Sequence, residues 1–364
     1  MPAVPALVRG LLTAVSWLTS PLTPDDYLGL VNPLLGARFP VGRVTAVSPE
    51  TADASTLTLR PGRGWSGHRA GQYLPVGVEV DGVWHWRTYS LTSVPGREDG
   101  LLTITVKAVP DGTVSPRLAH RTFPGTVLRL GPAQGEFVFP DQLPPRILMV
   151  TAGSGITPVM GMLRTFMSRR APHPDVVLVH SAPRARDSIF SSELLAAQRK
   201  WEWLDYHEHH SRQHGRLAPE DLGRLCPDWR ERETWVCGPA GLLDTVEDHW
   251  GREGLAERLH VERFELTPVV PPEPDAGPGP GCRVLFTRTG AESTADATTP
   301  LLVVGESAGV AMPYGCRRGI CFGCLTPLTY GRVRDLRTGE VHERTGQVIQ
   351  TCVSAAVGPL ALDA

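Results

Sequence analysis

The chain has 364 residues, of which 41% are hydrophobic and 20% are charged. That length predicts two or three domains, and the apolar content suffices for packed cores, which excludes disorder for most of the chain. The formal charge is −2, from 36 basic and 38 acidic residues, so the basic excess typical of nucleic-acid binding is absent. No apolar run approaches membrane-spanning length and the first residues do not resemble a signal peptide, so the sequence predicts a cytoplasmic protein.

Residues 1–40 are predicted to form an N-terminal extension of helical segments broken by proline. One stripe of an amphipathic helix is formed by Leu7, Leu11, Leu12, Val15 and Leu18. Such a face commonly packs on its own protein. The alternative is peripheral contact with a membrane, or docking of a membrane-bound partner, which would keep the protein at the inner face of the membrane.

Residues 41–140 consist of short strands divided by glycine and proline, which predicts a small antiparallel β-barrel. The predicted strands are Val41–Val47, Ser55–Leu59, Tyr73–Val80, Val83–Ser90, Leu101–Val109 and Thr126–Leu130.

In residues 145–265, strands alternate with helices, which predicts an α/β domain with a parallel sheet covered on both faces. The strands are predicted at Ile147–Thr151, Asp175–Ser181, Trp203–Glu208, Thr234–Cys237 and Leu259–Phe264, and the helices at Val159–Arg170, Ser191–Lys200 and Ala240–Trp250. Residues 266–281 are a proline-rich linker, and residues 282–364 form a third domain.

Four of the seven cysteines follow the pattern C-x4-C-x2-C-x27-C, namely Cys316, Cys321, Cys324 and Cys352. Three thiolates from one tight loop and a fourth from a distant strand are the plant-type ligand set of a [2Fe–2S] cluster. Structural zinc is the alternative, but it usually takes two close ligand pairs, and only Cys321 and Cys324 form one. The loop from Pro313 to Cys324 resembles plant-type ferredoxins, which implies a β-grasp fold for the third domain.

The segment Arg87-Thr88-Tyr89-Ser90, with Gly71-Gln72-Tyr73 upstream, resembles the flavin-binding signature of the ferredoxin–NADP reductase superfamily. The resemblance implies that Arg87, Thr88, Tyr89 and Ser90 bind the flavin. Arginine can pair with the flavin phosphate, the tyrosine offers a ring face to the isoalloxazine, and Ser90 offers a hydroxyl to its redox edge as a catalytic residue.

The segment Gly112-Thr113-Val114-Ser115 resembles the pyrophosphate-binding turn of the same family. Backbone N–H groups at the start of a helix can hold an anion. The resemblance implies that Gly112, Val114 and Ser115 bind a pyrophosphate, which favours FAD over FMN.

The segment Thr151-Ala152-Gly153-Ser154-Gly155-Ile156-Thr157-Pro158 joins the first strand of the α/β domain to its first helix. It resembles the reductase family's nucleotide-binding turn rather than the G-x-G-x-x-G fingerprint. The resemblance implies that Gly153, Gly155, Thr157 and Pro158 contact the coenzyme.

Two further segments resemble the nicotinamide side of these reductases. Cys237-Gly238-Pro239 follows a predicted strand, which implies that Cys237 is catalytic and that Gly238 binds the coenzyme. A buried structural cysteine is the alternative for Cys237. Glu262-Arg263-Phe264 closes the domain as in this family and implies that Phe264 lies near the flavin.

The coenzyme is predicted to be NADPH, because cationic side chains follow the strands that would bind the adenosine ribose. Ser181 and Arg184 follow one strand, and Ser211 and Arg212 follow the next and resemble the Ser-Arg pair of NADPH-using relatives. NADH sites commonly place an acid there, and Asp187 is the residue that leaves NADH open.

The remaining cysteines and a histidine cluster are not predicted to bind ligands. Cys226 and Cys282 are expected to be inert small residues. The cluster is expected to consist of ordinary strand and loop residues, since no acidic or cysteine partner completes a metal-binding set; its members are His207, His209, His210 and His214.

The order flavin, nucleotide, [2Fe–2S] resembles reductases of the phthalate and phenylacetyl-CoA oxygenase type. This implies electron transfer from NADPH through FAD and the cluster to a terminal acceptor protein. The segment Leu22–Tyr27, with Leu34 and Leu35, resembles the extension of actinobacterial reductases that serve a membrane fatty-acyl desaturase. The alternatives are a soluble Rieske oxygenase or cytochrome P450 and, as a different class, a redox sensor without turnover.

Overall fold

The structure, a computed structural model, describes residue 34 and residues 40–80, 83–170, 172–264, 282–314, 317, 319, 323–343 and 345–364. The predicted N-terminal helix, the linker, Cys316 and Cys321 lie outside these residues. The chain divides into two compact units, the first within residues 1–74 and 89–265 and the second within residues 75–88 and 266–364. Among the described residues, no helix has the length and apolar character needed to cross a membrane.

A six-stranded sheet forms the predicted flavin-type domain. Alternating side chains of its second and third strands are fully buried, including Leu57, Leu59, Leu74 and Val76, as expected for one core-facing side of a sheet. The strands lie in the order β4-β3-β6-β1-β2-β5, with β1–β2, β1–β6 and β2–β5 antiparallel. They are β1 (Val41–Thr51), β2 (Ala54–Pro61), β3 (Tyr73–Val80), β4 (Val83–Ser90), β5 (Leu102–Lys107) and β6 (Val127–Leu130), with helix α1 (Ser115–His120) between β5 and β6.

The α/β domain contains a five-stranded sheet in the order β11-β10-β7-β8-β9, and every neighbouring pair is parallel. Strands β7, β8 and β9 lie next to one another in chain order, and the chain then returns to place β10 and β11 on the other side of β7. The strand order therefore reverses between β7 and β10. Ligands of open α/β sheets bind at the carboxyl ends of the strands at such a reversal. The strands are β7 (Arg146–Ala152), β8 (Asp175–Ala182), β9 (Leu204–His210), β10 (Glu233–Cys237) and β11 (Leu259–Glu262).

Helices cover both faces of this parallel sheet, so its strands are apolar on both sides. Ile147 and Met149 belong to one buried cluster with Phe166, whereas Leu148 belongs to a second cluster with Trp250. The helices are α2 (Ile156–Ser168), α3 (Ser191–Lys200), α4 (Ser211–His214), α5 (Pro219–Leu225) and α6 (Ala240–Arg252).

Helix α2 contacts the flavin-type sheet within the first unit. Gly161 lies against the backbone of Leu91, where a methyl group would overlap the Leu91 carbonyl oxygen. The Arg164 guanidinium donates to the Thr92 carbonyl oxygen at 2.8 Å and to both carboxylate oxygens of Glu193 at 2.9 and 2.6 Å. These contacts join the helix that begins at the nucleotide turn to the residues that follow β4.

The ferredoxin-type domain contains a mixed five-stranded sheet in the order β13-β12-β19-β14-β17 and a three-stranded sheet in the order β16-β15-β18. Its core includes Val284, Phe286, Leu302, Leu328 and Leu362, all buried. The elements are β12 (Cys282–Phe286), β13 (Ala291–Ala295), α7 (Leu301–Ser307), β14 (Leu325–Tyr330), β15 (Val333–Asp335), β16 (Val341–His342), β17 (Val348–Gln350), β18 (Ser354–Ala356) and β19 (Leu360–Leu362).

The predicted fold classes are confirmed, but several predicted boundaries are wrong. Helix α2 begins at Ile156 rather than after Pro158, because proline is tolerated in a first turn, where the N–H groups have no intrahelical acceptor. Strand β9 continues to His210, so Ser211 follows it directly, and β11 ends at Glu262 rather than at Phe264.

We predict that Gly161→Ala lowers the free energy of unfolding by about 1–3 kcal/mol, because the added methyl group overlaps the Leu91 carbonyl oxygen. Gly251→Ala is the matched control, since Gly251 also lies in a helix but has no atom near the position of an added methyl group. The control variant should be neutral or slightly stabilised. Urea unfolding of both flavin-loaded variants tests this, and equal stabilities would contradict the contact with Leu91.

Candidate functional site

The predicted flavin segment forms the end of β4. Ser90 is buried, Thr88 and Tyr89 are half-buried, and Arg87 is exposed. The Arg87 guanidinium donates to the Trp86 carbonyl oxygen at 2.7 Å. A cation, a phenol ring and a hydroxyl therefore follow one another on a single strand, in the order that the flavin signature predicts.

Gly71 accounts for the second part of the flavin signature. Its φ of +95° favours glycine, and a methyl group at this position would overlap the Phe137 carbonyl oxygen. The next residue, Gln72, accepts a hydrogen bond from the Leu91 N–H at 2.8 Å. The structure therefore brings the Gly71–Tyr73 segment beside the residue that follows Ser90, although the two are far apart in sequence.

The predicted pyrophosphate turn precedes α1. Ser115 Oγ accepts a hydrogen bond from the Val109 N–H at 3.0 Å, and Gly112 donates its N–H to the Val109 carbonyl oxygen at 3.0 Å. The Val114 side chain is buried, so this residue can offer a ligand only its backbone. The Ser115 hydroxyl therefore holds the turn, and contact of these residues with a pyrophosphate stays a prediction.

The nucleotide turn between β7 and α2 packs directly against the end of β10. Gly155 lies so close to the Cys237 carbonyl group that a methyl group would overlap it, and Gly153 has a φ of +55°. The Thr157 hydroxyl donates to the Ser154 carbonyl oxygen at 2.9 Å and closes the turn, while Pro158 is buried. The two predicted coenzyme segments therefore meet at the reversal of strand order.

Cys237 and Glu262 lie side by side, as partners in the parallel register of β10 and β11. Burial raises the pKa of the Cys237 thiol well above its ordinary value, and the neighbouring Glu262 carboxylate raises it further. Burial also raises the pKa of Glu262 to about 7. The Cys237 side chain is fully buried in the core and its thiol is neutral at neutral pH, which agrees with a structural residue at the end of β10 and not with a thiolate nucleophile.

Glu262 is the group whose titration the sequence analysis missed. It ends β11 at the same edge of the sheet as Cys237. An acidic residue at the carboxyl end of a strand beside a reversal of strand order was the signal available in the sequence. Phe264, two residues later, is 41% exposed.

The predicted adenosine end of the coenzyme site lies at the carboxyl ends of β8 and β9. Ser181 pairs with His209 across these strands. The Arg212 N–H donates to the Pro183 carbonyl oxygen at 3.1 Å, which places Arg212 beside the segment that carries Arg184. Arg184 and Arg212 are both exposed, and Ser211 begins helix α4. The four predicted residues therefore meet at one edge of the sheet.

Three of the four clustered histidines have an acidic side chain nearby. The nearest ring nitrogens lie 3.0 Å from Asp205 for His207, 3.3 Å from Glu208 for His210 and 3.9 Å from Asp221 for His209. Each acid serves a different histidine, because adjacent strand residues point to opposite faces. Within the described residues, no three such groups are arranged to hold a metal ion.

Two of the four predicted cluster ligands are described, and the structure brings them together. The Sγ atoms of Cys324 and Cys352 lie 3.1 Å apart in buried surroundings, and no disulfide joins them. Thr351 holds the two strands together, since its N–H and its hydroxyl both donate to the Cys324 carbonyl oxygen. The Gly319 N–H donates to Cys352 Sγ at 3.2 Å. Adjacent buried thiols with a backbone donor fit the thiolate side of an iron–sulfur cluster.

Three family models match the chain along its length: an oxidoreductase FAD-binding domain at residues 39–139, an oxidoreductase NAD-binding domain at 149–248 and a 2Fe-2S iron-sulfur cluster binding domain at 286–357. The chain is 49% identical to an NADPH oxidoreductase of Mycobacterium tuberculosis, over 95% of this chain and 90% of the relative. It is 28% identical to a stachydrine N-demethylase reductase subunit of Rhizobium meliloti, over 84% and 91% of the two chains.

Among solved structures, the fold resembles phthalate dioxygenase reductase with a TM-score of 0.56 and 25% identity, over 90% of this chain and 98% of that chain. The three domains define a class of reductase that joins a pyridine nucleotide, a flavin and an iron–sulfur cluster. The chain belongs to the ferredoxin–NADP reductase superfamily, among the members with a C-terminal [2Fe–2S] domain. It is an NAD(P)H-dependent oxidoreductase whose cofactors are FAD and a [2Fe–2S] cluster.

The raised pKa of Glu262 predicts a pH dependence of stability. Folding favours the protonated form of the Glu262 carboxyl group. The stability that this preference contributes is fully present below the ordinary pKa of 4.5 and is lost as the pH rises through about 7. Glu262→Gln should match the wild type near pH 4.5 and be more stable at pH 8, by an amount on the order of 3 kcal/mol.

Urea unfolding of the flavin-loaded protein at both pH values measures this difference. Glu257→Gln is the control, because Glu257 is an exposed carboxylate just before β11. A Glu262→Gln variant whose stability relative to the wild type is independent of pH would contradict the raised pKa of this half-buried carboxyl group.

Proposed function

We propose that the protein is an NADPH-dependent reductase that delivers single electrons to a terminal oxygenase-type protein. The observation that carries the proposal is the buried pair of thiols, Cys324 and Cys352, in a chain that also joins a nucleotide turn to a flavin strand. A pyridine nucleotide gives two electrons as a hydride, whereas a [2Fe–2S] cluster accepts one. FAD supplies the chemistry that converts one kind of transfer into the other.

The protein's own residues orient the reactants rather than transfer protons. Gly153 has no atom near the position of an added methyl group and lets the pyrophosphate of the coenzyme approach the N–H groups at the start of α2, while Gly155 holds this turn against the end of β10. Cys237, as a neutral thiol, bounds the nicotinamide position, and Ser90 offers its hydroxyl to the redox edge of the flavin. Arg87 and Tyr89 hold the phosphate and ring of FAD, and the Gly112–Ser115 turn holds its pyrophosphate.

NADPH is the preferred coenzyme in this proposal. The support is the meeting of Ser181, Arg184, Ser211 and Arg212 at the ends of β8 and β9, with both arginines exposed. Two arginines and the Ser211 hydroxyl provide donors for a 2′-phosphate, which NADH lacks, while the buried Ser181 hydroxyl is hydrogen-bonded to the His209 ring at 3.2 Å. The 49% identical relative from Mycobacterium tuberculosis is an NADPH oxidoreductase, which agrees with this choice.

The acceptor is proposed to be a soluble oxygenase component. The support is that relatives of similar length and domain order are named as reductases of phthalate dioxygenase and stachydrine N-demethylase. The desaturase hypothesis rests on residues 22–35, most of which lie outside the described part of the chain. NADPH-dependent turnover of an oxygenase terminal component, compared with turnover of desaturase-bearing membranes, separates the two acceptors. Turnover of the membranes alone would reverse our preference.

Cys352→Ser tests the order of electron transfer. We predict that it loses the iron and the inorganic sulfide and abolishes reduction of a one-electron protein acceptor such as cytochrome c, while NADPH–ferricyanide turnover is largely retained. Cys282→Ser is the control, because Cys282 lies in the same unit at the start of β12, outside the ligand pattern. Zinc in place of iron in the wild type would remove the [2Fe–2S] assignment, and equal loss of both activities would argue against a separate iron–sulfur step.

Arg212→Ala tests the coenzyme assignment. A charge-assisted hydrogen bond to phosphate contributes about 1.5–3 kcal/mol, so KM for NADPH should rise roughly tenfold to a hundredfold, with little change for NADH. The effect should fall on KM rather than kcat, because the contact is the same in the ground and transition states. Arg199→Ala, another exposed arginine of the same domain, is the control. A wild type that prefers NADH would redirect attention to Asp187.

A further inference from the structure

Gly319 is a residue of the cysteine loop, and its N–H donates to the sulfur of the ligand Cys352 at 3.2 Å. Its φ of +71° lies in the region that favours glycine, and glycine has no side chain to hold the backbone in place. Its conformation therefore depends on groups that bind it from outside the loop. The Gly319 carbonyl oxygen accepts two such hydrogen bonds, from Arg337 Nη1 at 2.7 Å and from Gln350 Nε2 at 2.9 Å.

Arg337 is itself rigidly held. Its Nη2 and Nε donate to the two carboxylate oxygens of Asp335 at 2.6 and 3.1 Å, and Nη2 also donates to Gln350 Oε1 at 3.0 Å. A bidentate arginine–carboxylate pair fixes the guanidinium plane. The guanidinium lies against the Gly319 backbone so closely that a methyl group on Gly319 would overlap Nη1. One side chain thus connects the β15 region to the cysteine loop.

Arg337 also lies close enough to both described ligand cysteines for an electrostatic interaction. Cys352 and Cys324 each raise the pKa of the Arg337 guanidinium and so favour its charged form. Arg317 is a second cation near Cys352, but its guanidinium pairs with Glu306 at 2.6 and 2.8 Å and lies over the Tyr314 ring. Arg337 is therefore distinguished from Arg317 by its hydrogen bond to the Gly319 carbonyl group. Variants of the two arginines can therefore distinguish an effect of the loop's position on the cluster from an effect of positive charge alone.

We propose that Arg337 is a positioning residue for the iron–sulfur centre. It keeps the Gly319 N–H directed at the Cys352 sulfur and thereby raises the reduction potential of the cluster. The inference rests on the assignment of Cys324 and Cys352 as cluster ligands in the proposed function. Hydrogen bonds to the ligand sulfurs favour the more negatively charged, reduced state, so a weaker bond lowers the potential. A less firmly held loop also exposes the iron to chelators.

Arg337→Met in the full-length, cofactor-loaded protein tests the proposal by redox titration with mediators and dithionite, which needs neither NADPH nor an acceptor. We expect the reduction potential of the cluster to be lower in this variant than in the wild type by about 59 mV or more. For one electron, this difference corresponds to a tenfold change in the equilibrium constant of reduction. The electron paramagnetic resonance spectrum of the reduced protein should change, and a ferrous chelator should remove iron faster. Arg334→Met, an exposed arginine on β15, should leave all three measurements unchanged.

Three further variants keep the test decisive. Arg317→Met should shift the potential less than Arg337→Met and leave the rate of iron loss unchanged. Arg337→Lys keeps the positive charge and one hydrogen-bond donor, so it should lower the reduction potential less than Arg337→Met does. Gln350→Ala removes the second donor to Gly319 and should lower the potential in the same direction, which carries the test if Arg337→Met does not fold.

An unchanged potential and spectrum in Arg337→Met, or equal effects in Arg317→Met, would overturn the proposal while leaving the reductase function intact. A wild-type protein that binds zinc instead of iron would overturn both.

Discussion

The close approach of Gly155 to the backbone of Cys237 is the constraint on which the coenzyme side of the molecule depends. It joins two segments that come from opposite ends of the α/β domain and fixes the start of α2 against the end of β10. Any side chain at residue 155 would separate them. The Cys237 side chain, by contrast, is buried in the hydrophobic core that includes Phe166 and Trp235.

Glycine has a comparable role in the iron–sulfur domain, with a different physical outcome. At Gly155 it allows two backbones to touch, whereas at Gly319 it allows a left-handed turn that points an N–H at sulfur. The first arrangement is held by close packing together with the parallel pairing of β7 and β10, which extends to Thr151 and Cys237. The second is held by polar groups from another strand region, because a glycine at positive φ has many accessible conformations.

Much of the architecture could be predicted from the sequence, because burial on one or both faces of a strand or helix leaves a periodic pattern. Strands β3 and β4 and helix α3 have their predicted bounds. The cysteine spacing and the glycine turns also indicated the cofactors. The start of α2 was missed because Pro158 looks like a helix boundary when its position in the first turn is not known.

Other features depend on contacts between distant residues and leave no local pattern. The burial of Glu262 could not be predicted, since periodicity indicates which face a residue occupies but not how deeply it lies. The pairing of Arg337 with Gly319 links residues on different elements, and an arginine in a polar hairpin gives no sign of its partner. Likewise, the approach of Asp221 to His209 brings together helix α5 and strand β9 and leaves no local pattern in the sequence.

The attachment of α2 to the flavin-type sheet has a consequence for how such reductases can be recombined. The 13-residue helix begins at the nucleotide turn, touches Leu91 at its middle through Gly161 and reaches Thr92 through Arg164. A hybrid that takes the sheet from one parent and this helix from another must match a surface with no room for one extra methyl group. Exchange between homologues should therefore succeed when the crossover keeps residues 40–264 from a single parent.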